Sequence, residues 1–362
     1  MEFQIEYEQI EALDKSEMYF AMKRFPFQIE EAVEIGKSAK RFKRPAMTAN
    51  FLILGMGGSA IGGDLIQSYL RKLKGAEHSN IVVNRDYTIP SFVDSTWSVI
   101  ASSYSGNTEE TLSALEQARI VTDNILCIAS GGELAAKAEE YGYPLITIPS
   151  GYMPRLAIAY SFFPMLLAIL RSGAYEESLM ADFDENLRLV LHDIKNKAQI
   201  YCVSDLPDNP AIQIAGMLRG KVPVIYSSSD TIAPVALRWK CQIQENAKNL
   251  AFGGVLPEMN HNEINSWQHP SGAIGSFGVL FLEDALDHPH TTRRFGALKE
   301  IFNSLGVVNR TVKSSRDNFL TRIMQLVYLG DWVSFYMAIV NGVDPTPIPL
   351  ISKMKEILSH DN

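Results

Sequence analysis

The sequence predicts an α/β protein of doubly wound parallel sheets, and three observations lead there. Two short apolar runs, 51–54 and 98–102, each stop at a small polar turn containing glycine and pass straight into a helical pattern. Other apolar runs of strand length alternate with amphipathic stretches of helix length, the pattern of a parallel sheet covered on both faces. The same rhythm resumes after residue 198, so a second unit repeats the first.

Taken in order, residues 1–26 alternate acidic and apolar positions and end in Arg24-Phe25-Pro26-Phe27. Ile29, Ala32, Val33 and Gly36 then fall at helical spacing, which predicts a leading helix over 28–40. Strands are expected at 51–54, 81–84, 98–102, 125–129 and 145–148, with helices at 59–74, 108–121 and 132–141. A turn at 151–155 delivers Arg155 just ahead of an apolar helix, 156–171. That run falls short of the roughly 20 residues a membrane span needs and contains Pro164, so it reads as a buried helix. An amphipathic connector, 175–197, leads to strands at 200–203, 222–226, 277–282 and 307–312 and helices at 210–219, 234–247, 290–305 and 317–341. The proline-rich segment from Asp344 to Pro349 reads as extended, and a short helix bearing Lys353 and Lys355 follows. The expected organisation is a first domain at 1–174, a connector at 175–197, a second domain at 198–341 and a tail at 342–362.

The two glycine turns are where chemistry is expected. A strand ending in glycines lets backbone amides turn outward, and the helix behind them adds unpaired N–H groups and the positive end of its dipole, so an anion fits there. In the first turn Gly55, Gly57 and Gly58 permit close backbone approach, and Ser59 offers a hydroxyl. In the second, Ser103, Ser105 and Thr108 cluster within one turn, and Asn107 and Glu110 have the spacing of a capping box. Neither turn is a standard nucleotide motif: a dinucleotide fingerprint from Gly55 would need glycine where Ala60 stands, and a Walker loop from Gly58 would need lysine where Asp64 stands. The second unit keeps a serine run, Ser227 to Ser229, but no counterpart of the glycine turn, so one anion site is expected.

Composition narrows the function classes. The chain has 362 residues, 46% hydrophobic and 20% charged, the balance of a globular protein long enough for two domains. A net charge of -8 argues against a nucleic-acid partner, since a phosphate backbone demands a basic face. Three cysteines, Cys127, Cys202 and Cys241, lack Cys-x-x-Cys spacing, so neither a disulfide framework nor a zinc cage is expected. With an acidic rather than basic N-terminus, the expectation is a cytoplasmic protein without membrane attachment.

A second candidate stretch runs from Trp239 to Lys248 and on through Pro257 to Glu263. Its helix is expected to turn Leu237, Cys241 and Ile243 inward. Glu245 near the helix end and His261 in a loop are residue types suited to proton transfer. Plainer readings stand beside these: Glu245 as a surface partner of Lys248, His261 as a loop histidine, and His261 with Glu263, or His288 with His290, as weak metal pairs. From its position alone Arg155 reads more readily as a cation marking a helix boundary.

Gly55-Met-Gly-Gly-Ser59, Ser103-Tyr-Ser-Gly-Asn-Thr108, Pro154-Arg155, Glu245-Asn-Ala-Lys248 and His261-Asn-Glu263 together resemble the bifunctional phosphoglucose/phosphomannose isomerases of the sugar isomerase (SIS) superfamily. The likeness runs from the Phe25-Pro26 segment to the C-terminal helix. It implies two SIS domains, each with a five-stranded parallel sheet, in a homodimer whose site is shared between subunits. It implies a hexose 6-phosphate held by Ser59, Ser103, Ser105 and Thr108 with the amides of Gly57 and Gly58. It further implies Glu245 as the base moving a proton between C1 and C2, Arg155 as the cation beside the enediolate, His261 of the neighbouring subunit as the ring-opening group, and Lys355 rather than Lys353 as the tail lysine. A threonine, for which Thr346 is the candidate, is linked to mannose 6-phosphate use. No metal or cofactor is implied. The alternative is a non-catalytic SIS protein that only binds sugar phosphates.

Overall fold

The computed structural model describes residues 4–206, 208–314 and 318–360. Two short helices open the chain, α1 (Tyr7–Leu13) and α2 (Met18–Lys23), followed by α3 (Phe25–Ser38). The first α/β stretch is β1 (Asn50–Leu54), α4 (Gly57–Leu70), β2 (Asn80–Asn84), β3 (Ser98–Ser103), α5 (Glu109–Val121), β4 (Ile125–Ala129), α6 (Gly132–Glu140), β5 (Leu145–Thr147) and α7 (Ile158–Leu170). After α8 (Ser178–Tyr201) and α9 (Pro210–Met217) come β6 (Val222–Ser228), α10 (Ala233–Asn246), β7 (Phe252–Leu256), β8 (Phe277–Glu283), α11 (Pro289–Ser304), β9 (Val308–Lys313), α12 (Phe319–Val340) and α13 (Pro349–His360). Of the helix expected from 317, Asp317 lies outside the described residues.

The chain divides into two compact units. One, here the cradle unit, is Arg24–Lys195 with the start of α12 as far as Met324; the other, the tail unit, takes the residues up to Lys23, those from Asn196 through β9, and the chain from Gln325 onward.

The cradle unit holds a five-stranded, wholly parallel sheet in the order β2-β1-β3-β4-β5. β1, β3 and β4 are apolar on both faces because helices cover both, and Phe51, Ile53, Val99, Ile100, Leu126 and Ile128 are fully buried. α7 lies deep in this unit, where glycine lets backbones close up. A β-carbon on Gly36 of α3 would stand 2.6 Å from Leu167, and one on Gly62 of α4 would stand 3.1 Å from the Ser161 hydroxyl. The apolar 156–171 run is therefore a core helix, as its length suggested.

Among the described residues the tail unit's sheet has four parallel strands, β7-β6-β8-β9, not the five expected. Of the four strands read from the sequence itself, one is lost and β7 is gained. The 200–203 run does not form a strand: it ends α8, and the buried Asn209 side chain donates to the carbonyls of Ile200, Tyr201 and Val203 at 3.2, 3.0 and 2.9 Å. The same side chain accepts the amides of Ala211 and Ile212, capping α9, so one asparagine joins two helices where a strand was expected. Conversely β7 carries Gly253-Gly254, which reads as a turn, yet it pairs with β6. A β-carbon on Gly253 would lie 2.8 Å from the Ile225 carbonyl oxygen, and one on Gly254 2.9 Å from the Glu263 carboxylate. These glycines mark close approach within a strand.

α12 is the one described helix long and apolar enough to cross a membrane, and 94% of its apolar window is buried within the protein. Its tail-unit part is braced to α10. Arg238 and Gln242 each donate to Asp331 at 2.8 Å, Asn246 donates to the Ser334 hydroxyl at 2.9 Å, and the Trp239 indole donates to the Leu326 carbonyl at 2.8 Å. The buried face of α10 is thus Val235, Arg238, Trp239, Gln242, Ile243 and Asn246; Leu237 is exposed and Cys241 only half-buried, contrary to expectation, because the polar pairs and not apolar character alone select the face.

Candidate functional site

Strand order in the cradle unit reverses between β1 and β3, and in open α/β sheets the crevice beyond the carboxyl ends at that point receives ligands. Both polar turns lie there. A β-carbon on Gly55 would stand 3.0 Å from the Ser102 carbonyl oxygen and 3.1 Å from the Ser59 β-carbon, so the two turns sit against each other and only glycine fits between them. Gly57 begins α4 with φ +49, a left-handed conformation that a side chain would resist.

Neither helix opening onto the crevice is capped by its own side chain. Met56 at the N-cap of α4 has no polar group to offer. Thr108 at the N-cap of α5 does, but its hydroxyl bonds Ser103 Oγ at 2.8 Å instead. In α4 the Ser59 and Ala60 amides both donate to the Met56 carbonyl, and in α5 the Leu112 amide donates to Thr108, with the Gly57, Gly58, Glu109 and Glu110 amides ahead of them. Within the second turn Ser103 Oγ also accepts the Gly106 amide at 3.0 Å and Ser105 Oγ accepts the Asn107 amide at 3.2 Å. Ser59 and Ser103 are buried, Thr108 half-buried and Ser105 exposed, a gradient from floor to rim. In the first turn of α5 the field of Glu110, then Glu109, raises the Tyr87 phenol above its ordinary value.

The expected capping box does not form. The N-cap is Thr108, one residue later, and Asn107 Oδ1 accepts the Glu133 amide at 2.9 Å from another turn. Arg155 is 7% exposed and sits in a short 3₁₀ turn, Pro154–Leu156, so it is not a surface cation at a helix boundary. That turn presses on the head of α4: a β-carbon on Gly58 would lie 2.9 Å from the Pro154 carbonyl oxygen. Arg155 thereby belongs to the same end of the cradle unit as Gly57, Gly58 and Ser59.

Glu245, His261 and Lys355 belong to the tail unit. Glu245 is half-buried one residue before the end of α10. Lys248, at φ +51, donates to the carbonyls of Asn246 at 3.1 Å and Asp344 at 2.6 Å, tying the helix end to the start of the tail. His261 is exposed at the end of a 3₁₀ turn, Glu258–His261. Its neighbour Glu263 is an anchor: its carboxylate accepts the buried Tyr226 hydroxyl at 2.5 Å, and that hydroxyl accepts the Trp267 indole N–H at 3.1 Å. Burial and then this carboxylate push the Tyr226 phenol well above its ordinary value, so the hydroxyl stays a donor. The His288–His290 pair likewise caps α11, His288 Nδ1 accepting the His290 amide. Among the described residues no group of three or more His, Cys, Asp and Glu is placed to hold a metal ion. On α13 both Lys353 and Lys355 are exposed, beside an exposed apolar row of Leu350, Ile351, Met354, Ile357 and Leu358. In the segment before it, the Thr346 amide donates to Asp344 at 2.9 Å.

Sequence reasoning passed over Tyr104 and the 130–133 turn. The Tyr104 hydroxyl accepts the Tyr152 amide at 2.8 Å, and its carbonyl accepts Ser130. The signal was present, as Ser130-Gly131-Gly132 is a third small-residue turn at a strand's carboxyl end.

A model of the bacterial phospho-glucose isomerase C-terminal SIS domain matches residues 207–358. The bifunctional phosphoglucose/phosphomannose isomerase of Caldicellulosiruptor bescii is 38% identical over 345 residues, covering 94% of this chain and 99% of that protein. Its namesake from Aquifex aeolicus is 36% identical over 304 residues, covering 84% and 88%. Among solved structures, the C-terminal domain of glucosamine-fructose-6-phosphate aminotransferase from Francisella tularensis superposes with a TM-score of 0.69 at 14% identity, covering 92% of this chain and 98% of that one, a likeness of fold alone. The chain belongs to the bifunctional phosphoglucose/phosphomannose isomerases, an enzyme family built on SIS domains.

Proposed function

We propose that the protein is a metal-independent aldose–ketose isomerase interconverting glucose 6-phosphate, and also mannose 6-phosphate, with fructose 6-phosphate through a cis-enediolate. The observation that carries this reading is the pair of helix N-termini at the β1/β3 crevice, both without side-chain caps and both fronted by hydroxyls. The names of the relatives supply the substrate class.

The phosphate is held by Ser59, Ser103, Ser105 and Thr108 with the amides of Gly57 and Gly58, a neutral cradle whose field comes from dipoles. Its grip orients the sugar without touching the reacting carbons. Glu245 takes the proton from C2 of the aldose, or C1 of the ketose, and returns it to the adjacent carbon. Arg155 stands at the oxygen where negative charge develops and lowers the barrier electrostatically, the part a metal would otherwise play. His261, contributed by the second subunit of a homodimer, assists ring opening, and Lys355 completes the site from the tail. The setting is cytoplasmic.

Glu245→Gln keeps the shape of the side chain and removes the base. Turnover in a coupled assay should fall by about 10³-fold or more while calorimetric affinity for fructose 6-phosphate is retained. Full activity in this variant removes Glu245 from the mechanism. Binding without turnover in the unmodified protein would instead identify a sugar-phosphate sensor.

A further inference from the structure

The loop bearing Ser103, Ser105 and Thr108 is held from outside by the turn where β4 enters α6. Ser130 donates its amide at 3.0 Å and its hydroxyl at 2.6 Å to the Tyr104 carbonyl. The Glu133 amide donates to Asn107 Oδ1 at 2.9 Å, and the Leu134 amide to the Gly106 carbonyl at 2.8 Å. These bonds reach the loop at Tyr104, Gly106 and Asn107, alternating with or flanking the residues whose hydroxyls face the crevice.

The fit leaves no clearance. A β-carbon on Gly106 would stand 1.8 Å from the Gly131 carbonyl oxygen, and one on Gly132 would stand 2.4 Å from the Ser105 carbonyl oxygen and 2.7 Å from Asn107 Oδ1. Gly106, Gly131 and Gly132 have φ of +74, +152 and +70, where a side chain is strained, and at Gly106 and Gly132 it would be obstructed as well. Gly131 is the N-cap of α6 and has no side chain to cap with. Asn107 supplies that cap from the neighbouring loop, which makes the start of α6 and the hydroxyl loop one hydrogen-bonded piece.

We propose that the 130–133 turn is a positioning element for the sugar-phosphate site: Gly132 and Asn107 set the affinity of the cradle by fixing the 103–108 loop, without touching the ligand themselves. This rests on the cradle reading above. Backbone amides and short hydroxyls have no rotamers long enough to recover a displaced anion, so a loop shift of a fraction of an ångström is felt as lost binding.

The test compares glycines at the two ends of α6. Gly142, just beyond its C-terminus, also has positive φ, +66, but a β-carbon there meets only the Lys43 ammonium at 3.9 Å. Gly132→Ala and Gly142→Ala should both lower the melting temperature. Only Gly132→Ala should raise KM for fructose 6-phosphate, by about tenfold or more, with kcat held within about twofold. Asn107→Ala, which adds no atoms and so guards against a misfolded Gly132→Ala, should raise KM in the same way. Unchanged KM in Asn107→Ala, or an equal rise in Gly142→Ala, overturns the proposal. Ser103→Ala in parallel separates the two failures: if it raises KM while Asn107→Ala does not, the cradle stands and the positioning role falls; if neither raises KM, the cradle reading itself falls, and this inference with it.

Discussion

The carboxyl ends of β1 and β3 and those of β6 and β8 occupy the same place in two sheets whose strand order reverses in the same way, yet they are furnished oppositely. In the cradle unit the crevice is lined by glycines and hydroxyls, and the helix amides are left open. In the tail unit it is lined by acids. Asp287 accepts the Thr231 hydroxyl and the Asp284 amide, Asp284 accepts the Leu286 amide at 2.8 Å, and His288 caps the following helix. The Thr231 hydroxyl and the Asp284 and Leu286 amides are thereby spent on the protein's own carboxylates, although α10, like α4 and α5, has no side-chain cap. Architecture repeats across the two units, but the site depends on which residues hold the amides at the switch point.

The units also differ in how their helices are held. In the cradle unit α7 meets α3 and α4 through glycine contacts; in the tail unit α10 meets α12 through the buried Arg238–Asp331 pair, both side chains less than a tenth exposed. The largest effect expected from this contrast is on stability. Asp331→Ala removes the buried carboxylate that Arg238 and Gln242 share and should cost about 3–5 kcal/mol in denaturant unfolding. A cost under about 1 kcal/mol would show that the pair does not brace the unit.

Next in size is the contrast between crevices. Ser103→Ala should weaken fructose 6-phosphate binding by about 10- to 100-fold, the worth of a hydrogen bond to a charged group. Ser228→Ala, at the matching end of β6, should change it by no more than about twofold. Equal losses would break the comparison.

The smallest effect is in pH dependence. Burial, partly offset by its hydrogen bonds, raises the Asp287 carboxyl above its ordinary value. As pH rises through the ordinary carboxylate range near 4 the unfolded chain releases this proton first, so stability falls until the folded-state group has ionised too. Asp287→Asn should therefore flatten the decline in melting temperature across that window. An undiminished decline would assign it to other carboxyls.

Much of this was legible in residue order. The glycine turn at 55–59 and the hydroxyl turn at 103–108 declare themselves by composition alone, since an apolar strand running into small polar residues and then a helix has few other uses. Asn107 was misread because a capping box is a pattern of spacing, and spacing cannot say that an amide from 133 competes for the same oxygen. Strand 200–203 was misread because a short apolar run is compatible with a helix end as well as a strand, and Asn209, which decides it, is polar and lies beyond the run. β7 was passed over because Gly253 and Gly254 look like a turn unless one knows that the Ile225 carbonyl and the Glu263 carboxylate occupy the space their side chains would need.

Residue order by itself determined the alternation of strand and helix, the two glycine- and hydroxyl-rich turns at strand ends, and the family, because these rest on periodicity and on short contiguous motifs. Only the tertiary structure decided which amides stay open, which face of α10 is buried, that the second sheet has four strands, and that Arg155 is enclosed. Each of those is settled by competition for a partner or for a few ångströms of space between segments far apart in the chain, and no local pattern records who wins.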